Sequence, residues 1–231
     1  MPIYVSNRQI VVPGDVIAEG KYEAEGSVYV ENKKYIATSI GLVELERGRI
    51  RVVPLKGKYI PSVGDVVIGK IVDVGTTSWS VDINSPYTAI LQVSEVFSRP
   101  TDALKVNLAQ VLNVGDLVVA KVIAFDLTRD PLLTIKESRL GKVTKGTLVE
   151  ITPTKVPRVI GKKGSMLKIL KDYLDVEVVV GKNGRILVIG EEGEREAIAA
   201  LAIKKIEREA HVSGLTERIK RFIEQSLREA G

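Results

Sequence analysis

Helical periodicity is missing from the first 140 residues: short runs rich in Val, Ile and Tyr alternate there with Gly, Pro, Asn and Asp. Apolar residues spaced in that way cannot line one face of a helix, so they reach a core only by pairing strands. The runs at 27–30, 34–38, 41–45 and 49–53, the last after a turn at Arg47 and Gly48, predict a β-rich leader over 1–60. A short string recurs three times about fifty residues apart, as Val12-Pro13-Gly14-Asp15-Val16, Val63-Gly64-Asp65-Val66 and Val114-Gly115-Asp116-Leu117. Gly permits a tight turn and Asp can accept from neighbouring amides, so each string reads as a turn feeding a strand. Asp15, Asp65 and Asp116 are accordingly read as structural and not as a catalytic carboxylate set.

Over 61–141 the expected strands fall at 65–74, 79–83, 89–93, 117–125 and 132–136. Five short strands in about eighty residues predict a small closed barrel of the oligonucleotide-binding (OB) kind. Its longest connection, 98–114, carries Arg99, Lys105 and a brief apolar helical stretch. After Lys145 the pattern changes. A strand at 147–151 and a short helix at 156–160 precede an interruption at 161–164, after which Met166, Leu167, Ile169, Leu170, Tyr173 and Leu174 follow helical spacing. Strands at 176–180 and 185–189 join across Asn183-Gly184, a strong hairpin signal. Helices at about 194–210 and 215–227 close the chain. Residues 142–231 thus read as β-α-α-β-β-α with an added C-terminal helix, and the fold class is mainly β with a C-terminal α+β domain.

The 231 residues, 45% hydrophobic and 27% charged, suffice for two or three modest domains. No run approaches the ~20 apolar residues of a membrane span, and the start lacks the build of a signal peptide. The expectation is a soluble, cytoplasmic protein with no membrane partner. Zero cysteines exclude disulfides, thiolate metal sites and cysteine nucleophiles. The single histidine, His211, excludes multi-histidine cages, weakens any serine-histidine mechanism, and reads as a helix-end or surface residue. No metal and no cofactor is expected. Charge is informative once divided: 1–141 hold 16 Lys+Arg and 16 Asp+Glu, 142–231 hold 18 and 13, so the whole formal +5 lies in the last part. Within it Lys155, Arg158, Lys162, Lys163, Lys168 and Lys171 follow one another with no carboxylate between, a one-sign field that draws a polyanion.

Gly161-Lys162-Lys163-Gly164 sits between two short helices and opens the second. Paired glycines let a nucleic-acid backbone approach closely, amides at the new helix start point outward, and two lysines meet phosphates. The candidate site is therefore Gly161, Lys162, Lys163 and Gly164 with Arg158 and Lys168. A second copy, Gly181-Lys182-Asn183-Gly184, stands between two apolar strands and reads as an ordinary hairpin turn. Neither copy fits a Walker A phosphate loop.

With these elements around it, Val159-Ile160-Gly161-Lys162-Lys163-Gly164-Ser165-Met166 resembles a type I KH domain (βααββα), and 63–137 resembles an S1 domain, one branch of the OB barrels. Together with the leader, including the stretch 55–65, and with the segment 79–89, the chain resembles end to end the S1/KH RNA-binding cap subunits of the archaeal exosome. That resemblance implies a subunit with no catalytic role. Three such caps would sit on a hexameric phosphorolytic exoribonuclease ring, docked by the 1–60 leader. The S1 domains would surround the pore and the KH domains lie outside, threading 3′ ends of single-stranded RNA inward. It also implies S1 contacts through an aromatic on the second strand, a polar residue on the third, and an acid-base pair before the fifth. Trp79, Gln92, Asp126 and Arg129 occupy those places, Gln92 where histidine is common. Few aromatics are available for stacking, so Arg99, Lys105, Lys121 and Arg129 are expected to steer phosphates more than read bases. Trp79 reads equally as a barrel core filler, and Tyr87, after Ser85-Pro86, as a turn anchor. Competing readings are a free-standing S1/KH transcription or translation factor and a magnesium-dependent nuclease, for which no acidic cluster at plausible spacing stands out.

Overall fold

In the computed structural model the described residues are 2–230 except Arg47, Lys56, 98–106, Leu127, His211 and Ser213. Arg47 of the expected turn, the candidate cations Arg99 and Lys105, and His211 thus lie outside the described residues. The chain divides into two compact units, Met1–Gly57 and Lys58–Gly231.

The first unit contains β1 (Ile10–Val11), β2 (Val16–Glu19), β3 (Glu23–Gly26), β4 (Val28–Glu31), β5 (Lys34–Ala37), β6 (Gly41–Glu46) and β7 (Arg49–Pro54). They form two sheets, β1-β6-β7-β3 and β2-β5-β4, around a core that includes Ile17, Tyr35, Val43, Ile50 and Val52. Tyr35 closes that core by donating its hydroxyl to the Tyr22 carbonyl at 2.5 Å, with the two rings edge to face. The recurrent string behaves as its chemistry suggests. Asp15 and Asp116 each accept from the backbone N–H three residues earlier, Val12 and Asn113, at 2.9 and 2.8 Å. Gly14, Gly64 and Gly115 all sit at φ of 92° to 96°, which the turn demands and an L side chain resists. Asp65 departs from its fellows by accepting instead from the buried Tyr59 hydroxyl at 2.8 Å.

The second unit begins with a barrel of β8 (Val66–Val74), β9 (Ser78–Asp82), β10 (Thr88–Gln92), β11 (Leu117–Ala124) and β12 (Leu132–Thr134), with a four-residue helix α1 (Leu108–Val111) before β11. The order β12-β10-β9-β8-β11 closes because β12 pairs parallel with β10 and antiparallel with β11. Alternation along each strand sends Val67, Ile71, Val81, Leu91, Val122 and Leu133 inward. Trp79 joins them, wholly buried, and its Nε1–H donates to the Leu112 carbonyl at 3.0 Å.

A two-residue strand, β13 (Gly141–Lys142), leads to the last domain: β14 (Thr147–Glu150), α2 (Val156–Ile160), α3 (Ser165–Leu174), β15 (Glu177–Val180), β16 (Arg185–Ile189), α4 (Gly193–Arg208) and α5 (Leu215–Ala230). Its antiparallel sheet runs β14-β16-β15, the expected βααββα order. Met166, Ile169, Leu170 and Leu174 of α3 pack with Ile198, Ile203 and Ile206 of α4 on one sheet face, and Ile219 and Ile223 bring α5 into the same core. Each such fully buried side chain contributes about 2 kcal/mol.

Residues Arg185 to Val188 of β16 are all buried, without the alternation of a one-sided strand. The reason is that the sheet is covered twice. Ile186 and Val188 face the helices, while Leu187 packs on Ile68 and Val119 of the barrel. Arg185, on the barrel side, is 6% exposed. Its guanidinium donates to Asp82 Oδ2 and the Asp82 carbonyl, both at 2.6 Å, and to Glu150 Oε1 at 2.8 Å. Barrel and α+β domain are in this way one packed body. Partial burial would by itself raise the Asp82 pKa, but the Arg185 hydrogen bond, the Asn84 N–H and the charges of Arg185 and Lys70 together hold it below the ordinary carboxylate value.

A depressed folded-state pKa gives stability that is complete above the unfolded value of about 3.9 and is lost as pH falls through the folded one. Asp82→Asn should therefore destabilise the protein at pH 7, and the gap between variant and wild type should shrink below about pH 3.9. Urea unfolding at pH 7 and pH 3 measures both differences; a gap that stays constant with pH would refute the assignment.

Candidate nucleic-acid interface

The loop 161–164 is shaped by its glycines in two different ways. Gly161 ends α2 at φ 74°, ψ 171°, a region open essentially to glycine alone. A Cβ there would stand 2.7 Å from the Met166 N and 2.9 Å from its Cβ, so the chain also passes too close to α3 for any side chain. Lys163 and Gly164 then both adopt left-handed backbone, φ 54° and 77°, which turns the chain into α3. Nothing lies within 4 Å of a Cβ added at Gly164.

The consequence is an open helix start. α3 has no side chain bonded at its N-cap and no carboxylate in its first turn. Its first amide, that of Ser165, is bonded to the Lys162 carbonyl rather than turned outward, so what the helix start offers is the positive end of its dipole. Arg158, Lys162, Lys163 and Lys168 are exposed around it, and none of the four forms an ion pair with a described residue. By contrast α4 carries Glu194 and Glu196 in its first turn. Cations at a helix N-terminus are unfavourable by themselves, and become favourable when a polyanion threads between them and the amides. Of the residues the sequence marks out for this loop, all six are brought together.

On the barrel, a cleft of about 200 Å³ is lined by Ile90, Ala124, Phe125, Asp126, Arg129, Asp130 and Leu132. Asp126 accepts from the Thr128 N–H and hydroxyl at 3.1 and 2.7 Å, and Arg129 Nε stands 3.7 Å from its other oxygen. The Thr128 hydrogen bonds, with help from the Arg129 charge, hold the Asp126 carboxyl below its usual range, so it remains ionised. Arg129 is 84% exposed and free to reach a phosphate. Tyr87 and Phe125 meet edge to face, centroids 4.9 Å apart, beside this cleft.

Family models match the chain in three successive parts: residues 8–56 the exosome RNA binding protein RRP4 N-terminal domain, residues 58–124 the RRP4 S1 domain, and residues 146–192 a KH domain. An exosome complex component Rrp4 from Thermofilum pendens is 54% identical over 229 residues, covering 98% of this chain and 97% of that one. The chain belongs to the Rrp4 family. Its Rrp4 relative from Pyrobaculum aerophilum is 50% identical over 96% of this chain and 94% of its own. A solved structure described as an exosome complex RNA-binding protein is 48% identical, with a TM-score of 0.72, covering 76% of this chain and all of that one.

Within this Rrp4-family frame the barrel candidates sort unevenly. Trp79 must be withdrawn: a wholly buried indole whose one donor is already satisfied cannot meet a ligand. Its neighbours Val74, Leu91 and Leu112 are apolar, and strand parity turns it inward. Gln92 is exposed at the end of β10 but does not line the cleft, and Lys121 is held 2.8 Å from Glu137. Asp126 and Arg129 do meet there. Sequence reading passes over Phe125 and treats Tyr87 as a turn anchor. The available signal is that Phe125 directly precedes Asp126, at the point where β11 leaves the barrel.

Replacing Gly161 by Ala should cost about 2 kcal/mol or more, because the new Cβ meets backbone. Gly164→Ala should cost about 1 kcal/mol, for left-handed backbone alone. Equal losses in urea unfolding would show that close approach to α3 is not what distinguishes the two glycines.

Proposed function

We propose that this chain is an RNA-binding cap subunit of an exosome, gripping single-stranded RNA and feeding its 3′ end to a hexameric phosphorolytic ring without catalysing its cleavage. The observation that carries the reading is the uncapped N-terminus of α3, ringed by four exposed cations and preceded by the two conformationally demanding glycines. Phosphates meet the cations and the positive end of the helix dipole together there. The cleft at Phe125, with Tyr87 beside it and Arg129 on its rim, gives a second contact in which a ring face meets a base while the guanidinium meets the backbone. The leader that matches the exosome N-terminal model favours an exosome subunit over a free-standing S1/KH factor. Among the described residues no group of three His, Asp or Glu side chains could hold a metal ion.

Replacing Lys162 and Lys163 together by Asp should weaken single-stranded RNA binding and leave the melting temperature unchanged. Each phosphate deprived of its lysine should reduce the slope of log affinity against log salt by about 0.7 in magnitude. Fluorescent RNA titrations at several salt concentrations check this, and equal affinities with equal slopes would make the loop a mere turn.

The leader supports the docking role by its surface. Nine of the sixteen large hydrophobic side chains that stand exposed among the described residues belong to Met1–Gly57, including Ile3, Tyr4, Ile10, Tyr29 and Ile40. This concentration of exposed apolar side chains in a quarter of the chain supports a protein partner for the leader. Three caps per ring and docking through residues 1–60 belong to this proposal. Asp at Tyr4, Ile10 and Tyr29 together should abolish co-elution with the ring proteins in gel filtration while RNA affinity is retained; undiminished co-elution would place the docking surface elsewhere.

A further inference from the structure

Two sheets of the second unit each end on a strand with no neighbour on its outer side, and both of those strands border one cleft. β13 is the last strand of the barrel sheet, and β15 the last of the β14-β16-β15 sheet. Between them lies a cleft of about 650 Å³, lined by the connector 137–145 and by all four residues of β15, Glu177 to Val180. Alternate side chains of a strand point to opposite faces, so a cleft that touches four residues in succession runs along the edge of the strand. The register fixes which backbone groups are open there. The Gly181 N–H bonds the Arg185 carbonyl, and two residues away Val179 stands opposite Leu187. In an antiparallel ladder Val179 therefore turns its N–H and C=O to β16, whereas Val178 and Val180 turn theirs outward. Among the described residues none pairs with these outward groups. Such an edge is a template for an added strand.

The floor of the cleft is apolar: Val66 and Val119 of the barrel, Leu140 and Val143 of the connector, and Leu187 and Ile189 of β16. No aromatic side chain is among the described residues that line it, so the base stacking on which single-strand binders depend has no platform there. The connector places Arg139, Lys142 and Lys145 on the rim, three residues apart. Lys142 is taken by Asp116, and Glu137 by Lys121 at 2.8 Å. Arg139 and Lys145 form no ion pair with a described residue. Lys145 feels the charge of Glu196, whose oxygens already accept from the Gly190 N–H and the Thr147 hydroxyl. Glu177 is the remaining acid of the lining, which leaves the rim net positive.

We propose that this cleft is a docking groove for an extended, acidic segment of a partner protein, which adds as a further strand to the free edge of β15, with its apolar side chains on the floor and its carboxylates toward Arg139 and Lys145. The open edge asks for a backbone that is itself a row of N–H and C=O groups, the floor for alternating apolar side chains, and the rim for negative charge. An RNA strand supplies only the last of these. The groove shares no lining residue with the Gly161–Gly164 loop or with the cleft at Phe125, so a partner held in it leaves both RNA contacts open.

The probe is a fluorescein-labelled eight-residue peptide alternating Glu and Val, titrated by anisotropy into the full chain beside a peptide alternating Lys and Val. The Glu peptide should bind saturably and about tenfold or more tighter than the Lys peptide, and Arg139→Glu/Lys145→Glu should reverse that order. Val178→Pro removes an N–H that no bond of the fold uses, so it should abolish peptide binding while the protein still melts cooperatively. If that variant unfolds, the same bonds are read from the peptide: of two Glu-Val peptides, N-methylated on the Glu or on the Val residues, at least one should fail to bind wild type. Saturable binding of neither parent peptide overturns the groove, as does binding indifferent to charge reversal or to both methylations. Loss of single-stranded RNA affinity in Arg139→Glu/Lys145→Glu, with neither peptide bound by wild type, assigns the cleft to RNA and overturns the proposal as well.

Discussion

A guanidinium taken out of water must be paired on nearly every side, and Arg185 satisfies that demand only where two domains meet. Glu150 is its cross-strand neighbour in the same sheet, but Asp82 belongs to the barrel. Neither carboxylate alone would compensate the burial, and removal of the barrel would leave a charge half paired against an apolar surface. The charge therefore selects one arrangement of the domains. The apolar patch of Ile68, Val119 and Leu187 supplies attraction without direction, and the Arg185 and Asn183 hydrogen bonds supply the direction.

The barrel cleft lies where β11 runs out and the chain turns toward β12, and the Gly161–Gly164 loop opens a helix whose far end leads directly into β15, the strand joined by the hairpin to β16. The two places differ: at the Gly161–Gly164 loop four exposed cations stand without a carboxylate, whereas at the cleft Arg129 is beside Asp126 and the aromatic pair is half-buried. Such features weaken a free protein slightly and gain their value when a polyanion arrives.

The leader obeys a different logic. Its small core is closed by Tyr35, and its strands leave many apolar side chains in water. A unit of this size buries a smaller fraction of its surface than a larger domain does. Charge is balanced over the first 141 residues, and the excess of cations begins at Lys142, in the domain that carries the Gly161–Gly164 loop.

Elements with a local cause were legible in the sequence. Strand periodicity, the three Gly-Asp turns, the Asn183-Gly184 hairpin and the amphipathic α3 each depend on residues within a few positions of one another, as does the Gly161–Gly164 loop. Parity errors were also local in origin: Trp79 could have faced either way on a strand read without its neighbours, and only closure of the barrel set it inward beside Leu112. Asn183 looked like an ordinary turn residue because its partners, Ile68 and Ile83, lie 115 and 100 positions away. No residue near Arg185 in the chain marks it for burial, because its barrel partner Asp82 lies 103 positions away. Which segments become strands, helices and turns was thus written in the chain itself, because those preferences reside in single residues and their near neighbours. Which polar side chains are buried across the junction was settled only on folding, because burial is a property of two surfaces and neither is written in one segment.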